Sequence, residues 1–563
     1  MDTTLNRGHY HSALISLYNL FNLTVMKKIN IKFLSLAISA IIFTGCSDWL
    51  DLTPTDQLTD KVVWEQESSV DLYVNGFYTY LHQYGQFGDK QFEGSLTESL
   101  TNTFKYGSYA LGHKAGHPNN YVFNPSVITT TSCFYSNWDD AYNKIRRMNE
   151  FLYSMELYSS FPESVNTKWE AQTRFFRAFI YFQLAKRFDG VILYTRLDQM
   201  EKDKARSTNE ETWDLIEQDL DFAIANLPDS WSAPEKGRLT KYVALAFKSR
   251  AMLYAERWQS AYDAANEVID SDLFSLTDVY AESWKGNNEE SILEFKYDEL
   301  GPSHTFDRDY VPLSDGYEFG GLGTPTQEMV ESYEKADGTK MDWTPYHSTN
   351  ATRPPYEDLE PRFKATVIYP GSTWKEHTMQ NSVNGTYGTF MAYRAQPYTY
   401  GHTTTGYFLR KLMDEELIDI KGKPSTQTWV EIRYAEVLLN KAEAAFRLNK
   451  PNEARDAMNE VRERVNLPPK SSSGDQWFSD YRNERKVELA YEGHLFWDMR
   501  RWQLAHIEYN NYRCHGFKIT GDNYEYIDID YQDRRFSEKN YVLPIPDSEL
   551  ANNSLIEQYD RWK

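Results

Sequence analysis

Apolar residues recur at three- and four-residue spacing through residues 171–188, 213–227 and 242–258, the period of a helix that buries one face. Helices are predicted to dominate residues 138–270, to resume at 432–465 and 481–505, and to open near Lys61 with Trp64, Val70 and Phe77 on one stripe. Two stretches break the pattern. Residues 84–131 are punctuated by Gly85, Gly88, Gly94, Gly107, Gly112 and Gly116, and by Pro118 and Pro125. Residues 273–429 carry turn signals such as Asp337-Gly338, Pro354-Pro355 and Asn384-Gly385, between short β-prone runs at 292–295 and 366–369.

A repeat links the helical blocks. Residues 261–268 (AYDAANEV) and 454–461 (ARDAMNEV) agree at six of eight positions. Each follows a helix with aligned Leu245/Leu438 and Ala251/Ala444. Pairs of 33 to 34 residues with alanines at the crossing points predict tetratricopeptide-like hairpins. The predicted fold class is therefore mainly α: a scaffold of tetratricopeptide-like helical pairs with a large loop-rich insert containing short strands. The scaffold is placed at about 61–83, 138–272 and 430–563, and the loop-rich half at about 84–137 and 273–429, within one domain over 61–563.

The first sixty residues follow a different logic. Met26-Lys27-Lys28 and Lys32 precede an apolar run at 33–43 broken only by two serines, and Thr44-Gly45-Cys46 follows. That order is a secretory signal, and eleven residues at about 1.5 Å each are too short to span a bilayer. Small residues before a cysteine resemble a bacterial lipobox, which makes Cys46 the expected site of lipidation and residues 1–45 an upstream extension plus signal. Met26 is the expected true start, and residues 46–60 read as a lipidated tether.

Composition narrows the function. With 82 acidic and 60 basic residues the formal charge is −22, which argues against nucleic acid as a partner. Three cysteines provide no disulfide framework and no CxxC; Cys133 and Cys514 either pair or stay as two buried thiols. Aromatic residues reach 15%, with 41 Tyr, 30 Phe and 15 Trp. Part of that share belongs to helices, as at Phe175, Phe176 and Phe179, and part lies in the loops. Flat rings stack on the C–H faces of sugars while amides and charged groups bond their hydroxyls. Candidate ligand-binding residues are therefore Asn102, Tyr106, Tyr109, Tyr317, Trp343 and Trp374.

Catalytic and metal readings are weaker. Glu484 and Glu492 have the residue type of a glycosidase pair, but a Glu–Arg network between helices explains them better in so acidic a chain. His494 reads as a packed histidine. His113 and His117 are four apart yet sit among Gly112, Gly116 and Pro118, and no HExxH glutamate follows. Gly320-Gly321-Leu322-Gly323 lacks a phosphate loop's lysine and reads as a turn. No metal site, cofactor or catalytic residue is predicted.

Several blocks, in order, resemble the SusD/RagB family of outer-membrane nutrient-binding lipoproteins. They include Trp49-Leu-Asp-Leu-Thr-Pro54, the helix from Glu170 through Arg174 and Arg177 to Phe182, and Glu290-Ser-Ile-Leu-Glu-Phe295. Further along stand Asp358-Leu-Glu-Pro-Arg362-Phe363, Glu431-Ile-Arg433-Tyr-Ala-Glu436, and Glu484-Arg485 through Glu488 to Glu492-Gly-His-Leu-Phe-Trp497-Asp498. Tyr541-Val-Leu-Pro-Ile-Pro546 closes the series, and Asn552-Asn553-Ser554 departs from the family's usual Asn-Pro-Gly. The resemblance implies a non-enzymatic, lipid-anchored protein on the outer face of the outer membrane. Such a protein binds oligosaccharide or polysaccharide and passes it to a SusC-like TonB-dependent transporter. Peptides as ligands, a glycoside hydrolase and a periplasmic helical-repeat adaptor are the alternatives.

Overall fold

The computed structural model describes residues 61–88, 96–106, 118–313, 320–393, 395 and 401–563. The lipobox with Cys46, the tether, His113 and His117 lie outside these residues. After a short 3-10 turn, Lys61–Glu65, helix α1 (Glu67–Phe77) leads to a helical array. It comprises α2 (Trp138–Tyr158), α3 (Glu163–Ala185), α4 (Asn209–Asn226), α5 (Lys241–Tyr254), α6 (Trp258–Ile269), α7 (Tyr434–Arg447), α8 (Pro451–Arg464) and α9 (Gly474–Glu488). Each of α2 to α8 packs on the next in this order. Helix α4 opens on a capping box: Thr208 Oγ1 accepts from the Glu211 N–H, and the Glu211 carboxylate accepts from the Thr208 N–H.

The repeat folds as its small residues dictate. Ala261, Ala265 and Val268 on α6 and Ala454, Met458 and Val461 on α8 are all fully buried. Hairpins α5–α6 and α7–α8 therefore present equivalent faces, and α6 lies on α7 although about 160 residues separate them in sequence.

Those intervening residues leave and return through one ladder. Strand β2 (Ser291–Phe295) pairs antiparallel with β8 (Trp429–Arg433), and β8 runs directly into α7. Within the insert lie β3 (Gly323–Pro325), β4 (Val367–Ile368), β5 (Thr373–Trp374), β6 (His377–Thr378) and β7 (Phe408–Leu409). Pairs β4–β7 and β5–β6 stay local, whereas β3 pairs with β1 (Phe104–Tyr106) of the early loop. The chain's last third adds a hairpin of β9 (His515–Thr520) and β10 (Asn523–Asp528).

That hairpin packs against the insert. Phe517, Ile519 and Tyr524 are buried in the same cluster as Tyr356, Phe363 and Trp374 of the insert, and Ala351 bridges to Tyr524. The hairpin thus shares a core with the insert and with Val465, Val487 and Tyr491 of the scaffold. Alternation within so short a tail segment carries no information about which distant surface it covers.

Insert and scaffold are joined by buried charge. Arg433, 1% exposed, donates to Glu290, Glu488 and Glu492 at 2.6–2.8 Å. Lys411 of the insert donates to Glu492 at 2.6 Å, and Arg362 pairs with Glu360, Glu484 and Glu488. Arg462 binds Glu484 and Glu334, and Arg464 binds Glu290 and Glu488. A lone buried charge is costly, and here each buried group is matched by opposite charge. Burial alone pushes the Glu492 carboxyl upward, but Arg433 and Lys411 outweigh it and hold it down at about 2.

Candidate ligand-binding site

The strand pair β1–β3 gathers the segments in which the sequence places its candidate rings. Tyr106 pairs with Gly323, and a side chain at Gly323 would meet the Phe104 ring at 2.1 Å, so the glycine permits the close approach. Just upstream, Gly320 turns at φ 93°, and the Gly321 N–H donates to Val311 O at 3.1 Å. Leu313 N–H donates to Gly401 O at 2.8 Å, and Gly401 N–H donates to Gly320 O at 2.9 Å. The described ends at Tyr106, Leu313, Gly320 and Gly401 are therefore neighbours. The glycine run that read as a turn is what stitches them together.

Beside these ends lies an aromatic rim. Tyr531, 40% exposed, stacks on Tyr393 with ring centroids 6.0 Å apart and an 18° interplanar angle. Phe123 meets the edge of Tyr531 at 4.6 Å. The Lys105 ammonium lies 4.0 Å from the centre of the Tyr393 ring and donates to Asp530 at 2.7 Å. Arg534 donates to the same carboxylate at 2.7 Å. Burial would raise the Asp530 carboxyl, but Arg534 and Lys105 hold it well below the usual range. The rim thus stands on a fixed ion-pair base.

The predicted residues divide into three groups. Tyr109 and Tyr317 lie outside the described residues. Asn102 and Tyr106 sit at the base of the rim: Tyr106 is buried in β1, and Asn102 precedes it with its O accepting from Thr326 Oγ1 at 2.6 Å. The Asn102 Oδ1 is buried and has no partner among the described residues. Trp343 and Trp374 are packed away from solvent. Trp343 is 6% exposed against Tyr346 and Tyr356, and Trp374 is 0% exposed in β5. Both rings are spent on the insert's core, because a loop-rich half of this size needs large side chains to exclude water. Tyr393 and Tyr531 are not among the residues singled out from sequence. Tyr531 stands in a polar tail, and only the tertiary fold brings it to Tyr393.

The other candidates resolve simply. Glu484 and Glu492 are both inside the buried ion-pair network. Burial, with Arg250 and Arg485 nearby, pushes the His494 imidazole well below its ordinary value, so it stays neutral. Cys133 and Cys514 are free thiols. Among the described residues no cluster of His, Cys, Asp and Glu is arranged to hold a metal, and no helix is long and apolar enough to cross a membrane.

Two family models match the chain. Residues 289–562 match the one described as "SusD family", and residues 48–253 match "Starch-binding associating with outer membrane". The chain belongs to the SusD family. Among curated SusD-like relatives, protein P38 of Formosa agariphila is 25% identical, with 85% of this chain and 92% of that one covered. A SusD-like protein of Bacteroides fragilis has 26% identity and a TM-score of 0.76, covering 89% of this chain and 98% of its own. A SusD-like carbohydrate-binding protein of the same species follows at 24% and 0.74, covering 88% and 100%. A laminarin-binding SusD-like protein shares the fold at 22% and 0.59, covering 88% and 99%. Four of the blocks legible in the sequence, those holding Glu290, Arg362, Arg433 and Glu484 to Glu492, supply charged groups of the buried Glu–Arg network.

Proposed function

We propose that this SusD-family protein binds oligosaccharide or polysaccharide at the rim formed by Tyr531, Tyr393 and the β1–β3 edge, without catalysis. The observation that carries this reading is the convergence of exposed Tyr531, stacked on half-buried Tyr393, with the ends of the segments bearing Tyr109 and Tyr317. Tyr109 and Tyr317 are proposed to extend the platform, with Asn102 bonding hydroxyls. Stacking on C–H faces and hydrogen bonding around the ring edge suit sugars, and two structural neighbours are named for carbohydrate and laminarin binding. The carboxylate pair a hydrolase would use is instead neutralised by buried arginines, which supports binding without turnover.

The protein is further proposed to be anchored through acylated Cys46 at the outer face of the outer membrane and to pass its ligand to a SusC-like TonB-dependent transporter. Support comes from the lipobox resemblance and from a family description that names the outer membrane. A combined glycan and peptide array tests the ligand class. Glycan binding that is lost in Tyr531→Ala supports the rim, whereas binding to peptides alone refutes the proposal. Protease applied to intact cells should remove the protein, and co-purification should recover the transporter.

A further inference from the structure

The open end of the β9–β10 hairpin carries a cluster of titratable groups that the rim does not use. His515 and Asp528 form the last pair of that ladder, so their side chains are neighbours on one face. His515 Nε2 lies 3.4 Å from Asp528 Oδ1, and His515 Nδ1 lies 2.7 Å from Glu328 Oε1 on the short helix Gln327–Val330. The His515 ring stacks on Tyr526 with centroids 4.7 Å apart and an interplanar angle of 12°. His347 also stacks on Tyr526, at 4.4 Å and 27°, and its Nε2 meets Glu331 Oε1 at 2.7 Å. The cluster therefore ties together three segments that are distant in sequence.

Both nitrogens of His515 face carboxylate oxygens. A neutral imidazole has a single N–H, so either tautomer turns a lone pair towards one of those oxygens, and only the imidazolium suits both. Partial burial works against the charge, but the bond to Glu328 and the charges of Glu328, Asp528 and Glu331 outweigh it and hold the imidazole above its ordinary 6.5. Arg513 reaches Asp528 at 3.1 Å and Asp533 at 2.9 Å, and Glu328 also favours the charge of Lys486 on α9. Tyr526 and Cys514 are pushed up by burial and stay uncharged near neutrality. A raised value of this kind gives stability that is whole below pH 6.5 and fades as pH climbs through the folded-state value.

The cluster is wired to the base of the rim. Cys514 N–H donates to Asp530 Oδ2 at 2.9 Å, and Ile529 N–H donates to Cys514 O at 2.9 Å. Asp530 is the carboxylate that holds Lys105 and Arg534, and Tyr531 is the next residue.

We propose that His515 is a pH-sensitive latch: doubly protonated, it pins the end of the β9–β10 hairpin, and with it the segment leading to Tyr531, onto the helix that follows β3, and it releases that end as one proton leaves. The rim is then better ordered at mildly acidic than at alkaline pH. Only the effect on a bound glycan rests on the reading of the rim; the latch itself belongs to the unliganded protein.

The test is hydrogen-exchange mass spectrometry of the purified protein at pH 6 and pH 8.5, with rates corrected for their intrinsic dependence on pH. Protection of peptides from residues 515–534 should fall by about threefold or more between the two, while peptides of α5 and α6 keep theirs. His515→Gln cannot titrate and should show the weaker protection at both values. Glu98→Gln removes the other buried acid that titrates near neutrality, at about 7, and should leave the response of residues 515–534 unchanged. Exchange at the imidazole C–H of the parent reads the midpoint of His515 directly, and it should lie above 6.5. A midpoint at or below 6.5, or equal protection of residues 515–534 at both pH values in the parent, overturns the latch whether or not the variants fold. Neither readout uses a glycan, so failure of the latch and failure of the rim are told apart.

Discussion

Replacing Arg433 by methionine tests whether buried charge joins the insert to the scaffold. The guanidinium makes five hydrogen bonds: to Glu492 through Nε and Nη2, to Glu290 and Glu488 carboxylates through Nη1, and to Glu488 O through Nη2. Methionine keeps much of the volume and removes the charge. Glu290 and Glu488 retain Arg464, and Glu492 retains Lys411, so the deficit is one cation among several. Breaking a buried pair from one side costs about 3–5 kcal/mol. An unfolding entropy of about 2.1 cal/mol/K per residue, over roughly 500 folded residues, is about 1 kcal/mol/K, so Tm should fall by about 3–5 °C. Calorimetry at pH 7.5 reads this directly. A sign in the pH dependence separates charge from packing. In the parent, Glu492 is depressed from 4.5 to about 2, so its contribution is present above pH 4.5 and is lost as pH falls towards 2. Without Arg433 that depression shrinks, and the two melting curves should converge below pH 4.5. An unchanged Tm at pH 7.5, or a gap that stays constant down to pH 3, would refute the network as a staple.

Three further outcomes are expected. Glu98 is buried, which pushes its carboxyl up from 4.5 to about 7, so it costs stability increasingly as pH rises from 4.5 to 7; Glu98→Gln should match the parent near pH 4 and exceed it by up to about 3 kcal/mol at pH 8, as read by denaturant melts. Trp374→Ala should destabilise by about 3–5 kcal/mol, and any loss of ligand binding should follow the unfolded fraction rather than precede it. Tyr531→Ala should leave stability within about 1 kcal/mol and weaken glycan binding about threefold to tenfold in affinity electrophoresis, the value of one stacked ring.

Helical periodicity, the six-of-eight repeat and the charged blocks were readable along the chain because they are local. Helix α6 and helix α8 bury the alanines that the repeat aligned, and Glu484 and Glu492 sit in the Glu–Arg network that an acidic chain implied. Strands β2 and β4 fall on the β-prone runs. What could not be read was the use made of each aromatic ring. A tryptophan in a Gly-rich loop has the same local signature whether it faces solvent or a core, so Trp343 and Trp374 looked like ligand rings and are packing. Their fate depends on the β9–β10 hairpin, which arrives from more than a hundred residues away to close the same core.

Sequence by itself determined the family, the helical scaffold and the chemistry of the staples, since periodicity and charge pairing act over a few residues or recur as motifs. Tertiary structure alone decided which rings reach the surface. Tyr393 and Tyr531 lie far apart in sequence and meet because β1 pairs with β3 and Lys105 pairs with Asp530 across the fold. Exposure is a property of what covers a residue, and here the cover comes from distant segments.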